Sequence, residues 1–307
     1  MRDSFLSFSI HLNLISLKMT IRPSHIRAFQ QRFNLGDFLT ETNPKVTKSQ
    51  KVFDAPTAVL HLLPKYRGSC PFAGTCSTIC LHNAGNPAYM KGKQLARKKR
   101  TDAYMDAPID FMNYLTIELV KFAYKHRDAK IRGVRLNGTS DIMWEKQTVH
   151  LTVEVSNYLY KKFGIYIRPA RYRNIFYMFR ECSSWYSYPE LSGKNMFYFY
   201  DYTKRTDRLF HVCKHDGYHL TMSIGSSGNT LQTALDEQLN IAAAFNISRG
   251  KDLPLFVNIE GYNYPVLDGD VTDFRPFDAA DKRYVVGLRM KRVPGMTQKQ
   301  VSNFVVA

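Results

Sequence analysis

Apolar positions follow two rhythms along this chain. Short continuous runs bounded by turn residues alternate with segments whose apolar residues recur every three or four positions. The run Thr57–Leu63 is almost wholly apolar and stops at Pro64, which predicts a buried strand. Lys91 to about Arg127 predicts a long helical region, with Phe111, Leu115, Leu119 and Phe122 on one stripe. Pro108 has to break it, because proline lacks the amide donor and its ring clashes with the preceding turn. Ile131–Leu136 reads as a short strand, and Val149–Phe163 as a helix closed by Gly164. Residues 165–195 are aromatic without a clear period. Four further runs read as strands: Met196–Tyr202, Tyr218–Ile224, Ile241–Ile247 and Tyr284–Met290. A helical stretch, Thr230–Leu239, separates the second from the third. Strands alternating with helices imply βαβ units and a mainly parallel sheet. About six such units predict an α/β fold: a partial or complete TIM-like (β/α) barrel rather than two small domains.

Composition sharpens this picture. Hydrophobic residues make up 44% and aromatics 13%, enough for a sizeable core and too many for wholesale disorder. Residues 1–50 read as a polar arm or lead-in, with a turn at Asn43-Pro44. Residues 51–292 read as one barrel-like domain that carries a loop at 65–87, and 293–307 as a tail. The apolar-rich stretch Phe5–Leu17 is interrupted by Ser7, Ser9, His11 and Asn13 and is too short to span a bilayer. Asp3 spoils the basic start of a signal peptide, and no small-x-small cleavage site follows. Met19, directly after Lys18, offers a later translation start. The expectation is a cytoplasmic protein without a membrane partner.

Five cysteines among 307 residues are too few for a disulfide scaffold, and the odd count points to a reducing compartment. Three of them lie within Gly68–His82, as Cys70, Cys76 and Cys80 in C-x5-C-x3-C spacing, directly after the first predicted strand. Such a loop is able to turn three sulfurs towards one centre, with Gly68, Pro71 and Gly74 shaping the backbone. Soft thiolates select zinc or iron–sulfur clusters. A cubane 4Fe-4S cluster normally takes four cysteines, so three would leave one iron open to a ligand. The alternative is a closed zinc site with His82 as fourth ligand, although Cys80-x-His82 is tight for that geometry. Three ordinary thiols are the remaining reading. Cys182 and Cys213 have no assigned role.

Several motifs then occur in one order: the cysteine loop, Arg97–Thr101, Val134–Asp141, Asp201–Lys204 and Val266–Asp273. Together they resemble the phage protein family catalogued as gene product 88, over roughly residues 40–292. The cysteine loop and the strand–helix order are in turn similar to radical S-adenosylmethionine enzymes. That resemblance implies that Cys70, Cys76 and Cys80 hold a four-iron cluster at the mouth of a partial barrel. It also implies S-adenosylmethionine on the open iron. The spacing departs from the usual C-x3-C-x2-C, and no clear glycine-rich cofactor motif is present.

Other positions carry two readings each. Asn137, Thr139, Ser140 and Asp141 follow a strand, at what would be the catalytic face of a barrel, where they would hydrogen-bond a cofactor; otherwise Ser140 or Asp141 caps a helix. Asp201 and Lys204 also end a strand, either as a cofactor or proton-carrying pair or as an ordinary salt bridge. The loop Ser223–Thr230 precedes a predicted helix and is either an anion site or a flexible turn. Asp268, Asp270, Asp273 and Asp278 would either hold Mg²⁺ for a nuclease or pair with Arg275 and Lys282 in a solvated loop. His211-x-Cys213-x-His215 reads as surface rather than as a metal clip.

The balance of 43 Lys+Arg against 26 Asp+Glu leaves a formal charge of +17, which favours a polyanionic partner. Arg97, Lys98, Lys99 and Arg100 on one helix are candidates for gripping nucleic-acid phosphates. Interleaved aromatics and arginines at Arg168–Arg180 add bases to that expectation. The leading expectation is therefore an iron–sulfur protein of phage or mobile-element type, with radical-enzyme chemistry implied by resemblance. A basic nucleic-acid-binding protein with structural zinc competes with it, and an acid-cluster nuclease is third.

Overall fold

The computed structural model describes residues 22–42, 44–73, 80, 90–181, 196–208, 210–224, 234, 239–259, 261–278, 284–291, 297, 299, 301 and 305. Helix α1 (Ser24–Arg32), strand β1 (Leu39–Thr40) and helix α2 (Pro44–Phe53) come first, within the polar lead-in. Ile26, Phe29, Leu35 and Phe38 from this segment are buried in the main core. Strand β2 (Thr57–Leu60) follows, and every one of its residues is buried.

Helices α3 (Lys91–Asp106) and α4 (Pro108–Lys125) meet at Ala107, whose non-helical backbone marks the break. Pro108 occupies the first turn of α4, where its missing amide costs nothing. The stripe Phe111, Leu115, Leu119 and Phe122 is almost fully buried. Strand β3 (Gly133–Arg135) leads to a short 3-10 turn at Trp144–Lys146 and to strand β4 (Val149–His150). The helix expected from Val149 begins only at Val153 (α5, Val153–Phe163). Thr152 is its cap, accepting from the Val155 amide at 3.3 Å, so the preceding residues stay extended. Its other end closes on Gly164 with φ 72°, as expected. Strand β5 (Arg171–Tyr172) pairs with β4, and helix α6 (Ile175–Glu181) follows.

The remaining elements are β6 (Tyr198–Thr203), α7 (Phe210–His215), β7 (Tyr218–Ser223), β8 (Ile241–Phe245), β9 (Phe256–Ile259), β10 (Tyr262–Asp268) and β11 (Val285–Arg289). The predicted helix at Thr230–Leu239 lies almost wholly outside the described residues. Among the described residues the main sheet has nine strands in the order β1-β2-β3-β6-β7-β8-β11-β10-β9. All neighbours from β2 to β10 run parallel, and only β1 and β9 are antiparallel, one at each edge. The α/β class and mainly parallel sheet agree with the sequence. The two edges do not pair among the described residues, so the sheet is open there rather than closed into a complete barrel. No helix among those residues is long and apolar enough to cross a membrane.

The sheet register sorts side chains onto two faces. Phe199 and Tyr218 are register partners on one face and pack against Phe176 of α6. The other face carries Arg135, Tyr200, Tyr202, His219 and Thr221. It is covered by the crossover from β10 to β11, which presses Phe274 against Tyr200 with ring centroids 5.3 Å apart. Both faces of the central strands are thus buried, which explains their nearly unbroken apolar runs.

Candidate functional site

Parallel strands place all their C-terminal ends on one side of the sheet. The Asn137–Asp141 turn leaves β3 there, Thr203 and Lys204 end β6, and the chain runs from β2 into the cysteine loop. Four contacts join the end of β2 and that loop to the turn. Gly138 donates its amide to Leu60 O at 3.0 Å, and Asp141 donates its own to Ser69 O at 2.8 Å. Thr139 Oγ1 donates to Leu62 O at 2.6 Å, and Cys70 Sγ lies 3.7 Å from Thr139 O, its acceptor. Gly138 has no room for a side chain: a Cβ would sit 2.5 Å from Val59 Cγ1 and 2.6 Å from His61 Nδ1.

The candidate positions around the turn are brought together, but chiefly to bind one another. Asn137 Oδ1 accepts from Ser140 Oγ, the Ile142 amide and Trp144 Nε1 at 2.9, 2.9 and 3.0 Å. Asp201 is fully buried and accepts from the amides of Leu136 and Asn137 and from Tyr218 Oη at 3.1, 3.0 and 2.7 Å. Burial raises its pKa to about 6, against the opposing pull of Arg135 and these donors. Asp141 accepts from Thr203 Oγ1 at 2.9 Å and from the Lys204 amide at 2.8 Å. Burial pushes it up as well, while Arg208 and those donors pull it down.

Neither Ser140 nor Asp141 caps a helix, since the chain continues into the 3-10 turn without a side-chain cap. Asp201 and Lys204 do not form the salt bridge expected of them. Successive strand residues face opposite ways, and the Lys204 ammonium reaches Ser223 Oγ at 3.0 Å and the carbonyls of Ser223 and Ile224.

Beneath the turn lies an arginine that the sequence reading did not single out. The Arg208 side chain is fully buried and grips Glu145 with two hydrogen bonds, at 2.8 and 2.6 Å. It also reaches Asp141 at 3.3 Å. No local pattern marks this fork, because its partners lie 63 and 67 residues away.

Cys70 and Cys80 are free and half-buried, whereas Cys76, His82 and Cys182 lie outside the described residues. Burial pushes the Cys70 thiol up to about 11, with the charges of Asp141 and Cys80 acting in the same direction. Cys80 in turn interacts with the Arg97 guanidinium. Among the described residues no three His, Cys, Asp or Glu side chains converge as a metal site.

The basic run does not form one solvated stripe. Arg97 and Arg100 are buried, and Arg100 donates to the carbonyls of His61 and Asp37. Lys98 pairs with Asp102 at 2.7 Å, and Lys99 is half-buried. Four consecutive helical residues span all sides of the helix, so two of the four charges turn inward. The aromatic run at Arg168–Arg180 also differs from expectation. Phe176 and Phe179 belong to the core, while Arg173 and Arg180 engage Asp216.

Nor do the four aspartates form a metal cluster. Asp268 and Asp270 pair with Arg289 at 2.9 and 3.2 Å, Asp273 with Arg135, and Asp278 with Arg275 at 3.1 Å. The expected pairing with Arg275 is present, but the loop is not solvated, since Arg275 and Asp273 are buried. His211-x-Cys213-x-His215 lies on a helix. His215 is exposed, but Cys213 is buried, and burial pushes its thiol up to about 12. Of the loop Ser223–Thr230, only Ser223 and Ile224 are described.

Fold and site together define an α/β protein with a cysteine-bearing loop fastened to the C-terminal ends of a mostly parallel sheet. Residues 37–306 match the family model described as gene product 88, and the chain belongs to that family. No curated protein and no solved structure matches it.

The face opposite the helices yields a pH prediction. Burial, with Arg275 and Lys214 nearby, lowers the His219 pKa from 6.5 to about 4. A depressed histidine contributes stability that is complete above pH 6.5 and is lost as pH falls through the folded pKa. His219→Gln should therefore remove up to about 3 kcal/mol of acid destabilisation between pH 6.5 and 4. Urea unfolding of both proteins across that range tests it, and parallel stability curves would refute it.

Proposed function

We propose that this chain is an iron–sulfur protein in which Cys70, Cys76 and Cys80 hold a 4Fe-4S cluster at the open end of a partial barrel. The observation that carries this reading is the position of Cys70 and Cys80. Both belong to the loop after β2, they interact electrostatically, and the Cys70 thiol donates to Thr139 O in the turn after β3. The donor set fits the group, since soft thiolates suit iron–sulfur clusters and a part-buried thiol with a raised pKa releases its proton when metal binds. Such a cluster, with one iron not held by cysteine, would supply one-electron chemistry to a ligand on that iron. S-adenosylmethionine as that ligand follows from resemblance to radical enzymes alone.

In this reading Asn137, Ser140, Asp141 and Asp201 position the loop rather than touch a cofactor. Their polar atoms already hold the turn on which Cys70 rests. Lys204 closes the ends of β6 and β7 from the same side. A nucleic-acid substrate is supported by the charge of +17, with contacts away from the inward-facing Arg97 and Arg100.

Anaerobic preparation should give brown protein with several irons per chain, and Cys70→Ser or Cys80→Ser should remove most of that iron. Colourless protein after anaerobic reconstitution refutes the reading. Zinc at one per chain would instead establish the knuckle that the same loop is able to form with His82.

A further inference from the structure

The segment running from α5 to α6 is basic and aromatic and carries no counter-charge of its own. Residues 155–180 contain six Lys or Arg and no Asp or Glu. Four of the six, Lys161, Arg168, Arg171 and Arg173, are exposed. Asp216 engages Arg173 and Arg180, which also stack over the Tyr177 ring at 4.3 and 5.3 Å from its centroid. Lys161, Arg168 and Arg171 pair with no carboxylate among the described residues. In a protein of net charge +17 these three cations are left for an anion from outside.

Two tyrosines stand among these cations. Tyr160, in the last turn of α5 beside Lys161, is 55% exposed, and Tyr166 is 38% exposed. Their rings meet edge to face, with centroids 6.4 Å apart. Beyond Gly164 the chain alternates, with Ile165 and Ile167 buried and Tyr166 and Arg168 turned outward, so the latter two share a side. The Tyr172 hydroxyl donates to Arg168 O at 2.6 Å and fastens β5 there. Three residues of chain keep Arg171 within about 10 Å of Arg168. Unpaired cations attract phosphates, and an exposed ring offers its face to an unpaired base. A duplex keeps its base faces inside its own stack and would use only the charges. A single strand uses both features.

We propose that this surface binds single-stranded nucleic acid, with Lys161, Arg168 and Arg171 on phosphates and Tyr160 and Tyr166 against bases. The assignment rests on the proposed nucleic-acid partner and not on the cluster. Full-length protein is titrated with fluorescently labelled oligothymidylate and oligouridylate, read by anisotropy at several salt concentrations, with a DNA duplex and anionic lipid vesicles alongside. At least one single strand should bind. Tyr160→Ala should weaken that binding about tenfold and leave its salt dependence unchanged. The triple variant Lys161→Gln, Arg168→Gln, Arg171→Gln should flatten the slope of log affinity against log salt by about 2. All four substituted positions are exposed, so circular dichroism should show folded variants. If neither strand binds the wild type, the nucleic-acid partner is refuted and the assignment with it. If a strand binds but the variants match the wild type, the partner stands and this surface is not its interface. Equal binding of the duplex that Tyr160→Ala leaves unchanged also overturns the assignment, as does binding of the vesicles in place of both strands.

Discussion

Arg208→Ala should lower the unfolding free energy by about 3–5 kcal/mol. The guanidinium is fully enclosed and satisfies both oxygens of Glu145, a carboxylate whose side chain is 1% exposed. Removing it leaves Glu145 charged and unpaired in a medium that solvates charge poorly, and it also takes one partner from Asp141. The damage then reaches the site, because Asp141 holds the Thr203 hydroxyl and the Lys204 amide at the end of β6. The double variant Arg208→Met with Glu145→Leu removes both charges and should recover most of the loss, since an apolar pair of similar volume often replaces a buried ion pair without penalty. Urea unfolding of the three proteins provides the comparison. A loss below about 1 kcal/mol for the single variant would show that the fork is solvated in solution, as surface pairs are.

Gly138→Ala is expected to cost about 1–3 kcal/mol and to loosen the cysteine loop as well. Space rather than backbone conformation makes glycine necessary here. An added Cβ would meet Val59 Cγ1 at 2.5 Å and two atoms of the His61 ring at 2.6 and 2.7 Å. Val59 sits within β2 and His61 lies one residue beyond it, so neither is able to retreat without moving the strand end. The adjacent Thr139 would shift with the turn, and its carbonyl accepts from Cys70. Val59→Ala removes the nearest clash and should restore part of the stability in the double variant. If the cluster proposal holds, iron retained after anaerobic desalting falls in Gly138→Ala and partly returns in the double variant. Wild-type stability for Gly138→Ala would mean that β2 and the turn lie further apart than their 3.0 Å hydrogen bond indicates.

Much of the fold was legible because its signals are local. The apolar run after Thr57, the stripe through Phe111 and Phe122, and the punctuation at Pro108 and Gly164 each act within a few residues. Elements were missed where such signals conflict. The β9–β10 hairpin turns at Gly261, with φ 85°, but it carries Pro265 and largely exposed residues that hide its alternation. Helix α1 buries only Ile26 and Phe29, too few apolar positions to show a period within a polar segment. Candidate site residues were legible as residues at strand ends, but their roles were not. Asn137 and Asp201 looked like ligand contacts because polar groups after parallel strands often are, yet their partners prove to be each other, Ser140, Trp144 and Tyr218.

The amino-acid sequence by itself determined the alternation of strands and helices, the mainly parallel sheet and the clustering of thiols, because periodicity, proline, glycine and spacing act over short range. Tertiary structure alone decided which strand neighbours which, and with it where each charge points. Arg97 and Arg100 are buried on one helix, and Arg100 reaches the carbonyls of His61 and Asp37, far from it in sequence. Arg208 finds Glu145 across 63 residues of chain, and Tyr202 and Thr221 share a face only through the register of β6 with β7. Such pairings depend on contacts that form only when the whole sheet does, so no window of sequence contains them.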